Sequence, residues 1–147
     1  MQLTVRVDTP IPSPNRRQHW GSLADVRKRQ RAAVAAALRE AFGPLPDLRA
    51  RLQAELPAVV VLERVSGSHK LDTDNASYSM KSIRDAIAAS AFGLDDSDPN
   101  IRWTYHQTHE AGSATYCVVT IRTGQDMRLC KPPLTPPKPS NTAGFHR

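Results

Sequence analysis

At 147 residues, 39% hydrophobic and 23% charged, the chain has the size of one domain with a real core and is too short for two. Lysine and arginine outnumber aspartate and glutamate ten to five over residues 1–55 and four to one over 124–147, while residues 56–123 carry six against eight, so the net charge of +6 lies at the ends. Cys117 and Cys130 make no CxxC pair, Cys/His cluster or disulfide framework, which excludes a zinc module and leaves reduced, intracellular thiols as the expectation.

In chain order, Leu3, Val5 and Val7 alternate with polar residues and predict a half-buried strand over 2–7, which Pro10, Pro12 and Pro14 end. Ser22, followed three residues later by Asp25, resembles a capping box, and Val26, Ala33, Ala37, Leu38 and Ala41 form a helical stripe running to Gly43. Arg27, Lys28 and Arg31 lie off that stripe. Pro44 and Pro46 break the helix, after which Leu48, Leu52 and Leu56 allow another turn or two. The run AVVVL from Ala58 to Leu62 predicts a strand covered on both faces, with Asp72 and Asp74 in the loop beyond it. Met80, Ile83 and Ile87 mark the buried face of a second helix closed near Gly93.

Beyond Pro99, the alternation of Ile101, Trp103 and Tyr105, then of Tyr116 to Ile121, predicts a closing β-hairpin across turn residues 111–113. The order implies an α+β domain over residues 1–123, with a mixed sheet and two main helices on one face. Residues 124–147, proline-rich and without hydrophobic period, are expected to be a disordered tail. No apolar leader core opens the sequence, and no run approaches the roughly 18 apolar residues of a membrane span, so a cytoplasmic protein with no membrane partner is expected.

The chemistry concentrates between Leu71 and Asp98, where LDTDN, K-x-x-x-D from Lys81 to Asp85 and GLDDSD from Gly93 follow one another. In an extended segment, Asp72 and Asp74 would project to one side and could share a hard cation, with Asp95 or Asp96 returning to them across a helix. A basic periphery around such carboxylates suits a protein that grips a polyanion, although basic ends can equally be no more than solvated surface.

Each residue also has a plainer reading. An aspartate before a helix is commonly an N-cap, a description open to Asp74 or Asn75. Lys81 and Asp85, four apart, make a surface ion pair worth a few tenths of a kcal/mol. Asp96, Asp98 and Asn100 mimic the opening of a calcium loop, but Ile101 stands where the turn glycine belongs and Gln107 where the closing glutamate does. Asp98 before Pro99 is then turn chemistry. His106 and His109 point to opposite faces of a strand and do not chelate together. Trp20 and His19 are placed either to stack on an exposed base or to pack the foot of the first helix.

The order D-x-D-N, a lysine heading a helix, K-x-x-x-D-A-hydrophobic and then L-D-D resembles the RusA-like Holliday-junction resolvases, the crossover junction endodeoxyribonucleases. The match covers Leu71 to Asp96 and extends to PIPSPNRRQHW near the amino terminus. Lys81 stands six residues after Asn75, three further than in the family pattern, which turns its side chain about 60° from the family direction. The resemblance implies catalytic, metal-binding roles for Asp72, Asp74 and Asp96, and a phosphate-neutralising role for Lys81. It implies DNA contacts at Asn15, Arg16, Arg17, Lys70 and Asn75. It further implies Mg²⁺, with Mn²⁺ as substitute, a four-way DNA junction as substrate, and a homodimer making two symmetric cuts in recombination and repair. A non-catalytic branched-DNA-binding protein of the same fold, or a metal-dependent phosphodiesterase acting on flaps or RNA, are the rival readings.

Overall fold

A computed structural model of the chain describes residues 1–12, 20–67 and 70–124, with residues 20–22 described in their backbone alone. The expected tail from 125 onward, the residues Asn15, Arg16 and Arg17, and the stacking expected of His19 and the Trp20 ring lie outside the described residues. The fold is α+β. Strand β1 (Gln2–Val7) is followed by helices α1 (Trp20–Phe42) and α2 (Leu45–Ala54), then by β2 (Ala58–Ser66). Helices α3 (Thr73–Ser79) and α4 (Lys81–Ile87) run into a π-helical turn, Ala88–Phe92, before β3 (Ile101–His109) and β4 (Tyr116–Thr123).

The four strands form one mixed sheet in the order β1-β4-β2-β3. Strand β4 is antiparallel to both β1 and β2, and β3 is parallel to β2. The register aligns apolar rows across it: Val5, Val119, Leu62 and Tyr105 form one, and Leu3, Ile121, Val60 and Trp103 the next. These rows share a core with Val34 and Leu38 of α1, Leu48 and Leu52 of α2, Met80, Ile83 and Ile87 of the α3–α4 region, and Phe92. The helices therefore sit over one face, as the sequence predicts.

The predicted hairpin does not form. Strands β3 and β4 are consecutive yet lie on opposite sides of β2, so residues 110–115 cross the end of β2 instead of making a tight turn. Side-chain chemistry gives the reason. Along β4, Cys117, Val119, Ile121 and Thr123 are all buried, as suits an interior strand, whereas β3 exposes Arg102, His106 and Thr108. Charged and polar residues of that kind protect a sheet edge.

Other expectations shift for local reasons. The stripe on α1 is centred on Gln30, Val34 and Leu38, one residue every four, and Ala41 is exposed. Pro46 falls in the first turn of α2, where a missing N–H costs nothing, so the same prolines that end α1 start α2. Strand β2 is covered by helices on one face only; Val61 is half-exposed on the other, and Val59 is buried there. Gly93 closes the π-turn with φ of 66°, as expected of a left-handed helix cap.

The crossing over β2 is tight. A Cβ added to Gly67 would stand 2.9 Å from the carbonyl oxygen and 3.1 Å from the nitrogen of Ser113, both backbone atoms that cannot rotate away. Gly67→Ala should therefore destabilise the protein by about 1–3 kcal/mol through overpacking, read as a lower urea midpoint at unchanged slope. An unaltered midpoint would contradict the close crossing.

Candidate functional site

The acidic segments all lie in the connection between β2 and β3, and alternate side chains of β3 hold them in place. Gln107 accepts from the Leu71 backbone N–H at 2.9 Å and donates to the Leu71 carbonyl at 2.7 Å, which fixes the residue before Asp72. Two positions back, the Tyr105 hydroxyl accepts from Arg84 at 3.1 Å, and Arg84 in turn donates to Asp96 Oδ2. Two further back, the Trp103 indole donates to the Asp96 carbonyl at 2.9 Å. Residues i and i+2 of a strand share a face about 7 Å apart, so the anchors of the two acidic loops, Trp103 and Gln107, stand about 13 Å apart along one strand edge.

Asp72 and Asp74 do not lie on an extended segment as expected. Asp72 is the N-cap of α3, its Oδ1 accepting from the Asn75 N–H and its Oδ2 from the Asn75 side-chain amide, each at 2.8 Å. The cap is thus neither Asp74 nor Asn75, and Asn75 spends its amide on Asp72. Folding Asp72 onto the helix start satisfies an orphan N–H of the first turn, which an extended segment would leave to water. Asp74 stands exposed in that first turn; among the described residues its carboxylate has no partner, and only its backbone carbonyl accepts from Ser77. Lys70 is also exposed.

Lys81 heads α4 and faces Asp96. Its Nζ is 3.1 Å from Asp85 Oδ1 and 3.7 Å from Asp96 Oδ2, so the simple Lys81–Asp85 pair is present and extends to a third partner. The Asp96 side chain is only 17% exposed and Arg84 27%, which removes much of the solvent screening that weakens an exposed pair. Partial burial disfavours the charged guanidinium of Arg84, but its bonds to Tyr105 and Asp96 outweigh that, and its pKa stands above the ordinary value.

Next to it, the Ser97 hydroxyl and N–H donate to Asp95 and hold its carboxyl below the ordinary range. Folding is favoured by that pair above the ordinary aspartate pKa, and the contribution is lost as pH falls through the lowered one. Asp98 accepts from the Asn100 N–H at 2.9 Å, the turn role expected of it.

The carboxylates meet cations and N–H donors more than they meet one another: among the described residues no three His, Cys, Asp or Glu side chains gather as a metal-binding group. The donor chemistry still suits a hard cation. A carboxylate offers about four lone-pair directions, and each Asp72 oxygen uses one on Asn75. Mg²⁺ commonly takes one or two protein carboxylates and completes its shell with water and substrate phosphate, so a three-residue cage is not required of it.

Arg84, Trp103, Tyr105 and Gln107 lie outside the set of residues that the motif singles out. The alternation in IRWTYHQ is the available signal, since it places Trp103, Tyr105 and Gln107 on one face, but taken alone it predicts only a strand of the sheet. No protein-family model and no curated protein matches the chain.

Gln107→Leu removes both bonds to Leu71 and leaves two partly buried backbone groups unsatisfied, at a cost of about 1–3 kcal/mol. Hydrogen exchange at the Leu71 amide should accelerate well beyond the global change, and equal acceleration throughout the domain would show that Gln107 is not a local clamp.

Proposed function

We propose that the protein is a Mg²⁺-dependent, structure-selective endodeoxyribonuclease that resolves four-way DNA junctions in recombination and repair, working as a cytoplasmic homodimer with one site per subunit. The observation that carries this reading is the common seating of the two acidic loops: β3 holds Asp96 through Trp103 and the residue before Asp72 through Gln107. The motif order D-x-D-N, K-x-x-x-D, L-D-D adds the resemblance. Asp72, Asp74 and Asp96 would hold the ion, which when bound supplies Lewis-acid stabilisation of the charge that builds on the scissile phosphate. Lys81, with 53% of its side chain exposed, is available as a point charge for that phosphate. Arg84 donates to the Asp96 carboxylate and fixes its direction. Cleavage by water would leave 5′-phosphate and 3′-hydroxyl ends, and symmetric incision of a four-way junction calls for two-fold related sites.

A specific observation favours the non-catalytic rival: Asp96 is already matched by two cations, Arg84 and Lys81, as in an ion-pair network with a structural role. Cleavage separates the two. Mg²⁺ or Mn²⁺ should support nicking of a synthetic four-way junction over a flap or linear duplex, Ca²⁺ should permit binding with little turnover, and EDTA should abolish cutting. Binding without cutting under every metal would establish the rival.

The double engagement of Asp72 permits a sharper test. Asparagine caps a helix about as well as aspartate, so Asp72→Asn should hold stability within about 0.5 kcal/mol while Asp72→Ala loses about 1 kcal/mol. If Asp72 binds the ion, both variants lose cleavage by orders of magnitude; if it is only a cap, Asp72→Asn cuts like wild type. Asp74→Asn should likewise abolish cutting while junction affinity holds or rises, because a negative charge beside the DNA is removed.

A further inference from the structure

Helix α1 carries a run of exposed cations. Arg27, Lys28, Arg29 and Arg31 all face solvent, and none forms an ion pair with a described residue. Helical geometry sorts them. At about 100° per residue, Arg27, Lys28 and Arg31 fall within an arc of about 100° on one flank, while Arg29 lies on the opposite side. Glu40 stands about 120° or more around the axis from all three, and Asp25 about 120° or more from Arg27 and Arg31 but about 60° from Lys28. The Arg27–Arg31 side of the flank is therefore of one sign, and Lys28 borders Asp25 without an ion pair to it among the described residues.

Its position is fixed by packing against α4. The Ser82 hydroxyl, on a residue only 8% exposed, donates to the Arg27 carbonyl at 3.5 Å. Gln30, one turn along and 2% exposed, donates to the Pro10 carbonyl at 2.8 Å and pins the same part of α1 to the chain beyond β1. Lys81 immediately precedes Ser82 and reaches Asp96 at 3.7 Å. The backbone of Arg27 thus lies at the α1–α4 contact, against the residue that follows the cation facing Asp96.

We infer that the Arg27–Lys28–Arg31 flank is the track for the DNA backbone, and that it delivers one duplex arm to Lys81. This rests on the nuclease reading of the same acidic loops and assigns the surface that holds the substrate there. Arg27 and Arg31 are separated by about 6 Å along the axis, and exposed cations spaced over a rigid helix can each neutralise a phosphate without first breaking a salt bridge to a described residue. Carboxylates hold the centre and repel the same polyanion, so a grip on DNA must come from cations outside it.

The test is junction binding by fluorescence anisotropy in EDTA over a salt series, which reads binding without cleavage. Each phosphate that a cation neutralises contributes about 0.9 to the slope of log K against log salt, so Arg27→Gln, Lys28→Gln and Arg31→Gln combined should lower that slope by about 2.7. The control pair Arg29→Gln, on the opposite side of α1, and Arg102→Gln, exposed on β3, should leave the slope near wild type, and the charge-preserving triple Arg27→Lys, Lys28→Arg and Arg31→Lys should retain it. Circular dichroism establishes that each variant is folded, as expected for exposed positions. If the wild type binds and the neutral triple keeps its slope, the track is refuted while the nuclease reading stands. A control pair that loses as much slope as the triple refutes it too, because net charge would then be the cause. A wild-type protein that binds no DNA overturns both.

Discussion

Parallel strands cannot be joined by a tight turn, and the pairing of β2 with β3 is the parallel one in this sheet. The chain must leave the end of β2, travel the length of the sheet and re-enter at the start of β3, so residues 67–100 have to form a crossover that packs on the sheet. Every residue proposed for the chemistry lies in that crossover: Asp72, Asp74, Lys81 and Asp96, together with Arg84. Alternation along β3 then turns the returning strand into a set of anchors, because Trp103, Tyr105 and Gln107 face the segment that has just been crossed. The placement of the acidic loops is in this sense a by-product of strand order.

The energetic character of the region follows from its half-buried state. Deeply buried charge is costly unless paired, and fully solvated charge is too screened to fix a geometry. Arg84 and Asp96 lie between these limits, with a tyrosine hydroxyl taking a second guanidinium bond. Elsewhere the sheet buries an ionisable group outright: Cys117 lies in the core, where burial pushes its thiol up to about 12. A thiol so protonated is a packing residue, not a nucleophile.

Much of the fold is legible in the sequence where the signal is local. The strand over 2–7, the apolar run from Ala58, the buried positions Met80, Ile83 and Ile87 and the cap at Gly93 depend on period and on glycine chemistry, which neighbours in sequence determine. What escapes is long-range. Nothing in the alternation of β3 or β4 says which strand lies beside which, and sequence proximity suggests a hairpin where β2 intervenes. The site is hidden in the same way: spacing identifies Asp72 and Asp74, but the use of Asp72 as a cap depends on backbone geometry at 72–75, and the bond from Arg84 to Asp96 joins residues 12 apart in the chain.

Strand β4 stands last among the described elements but in the interior of the sheet, between β1 and β2. During synthesis from the amino terminus, β1 and β2 therefore emerge with no strand to join them, and β2 and β3 can pair while β1 has no partner in the sheet. Sheet closure waits for residues 116–123, which must insert between two elements already made, and the partners then paired, such as Leu3 and Ile121, are far apart in sequence. Loop-closure entropy makes such late, non-local pairing slow, and open strand edges invite association while it is pending. A nascent chain interrupted before β4 has the residues of the acidic crossover but lacks the strand that ties the two halves of its sheet together.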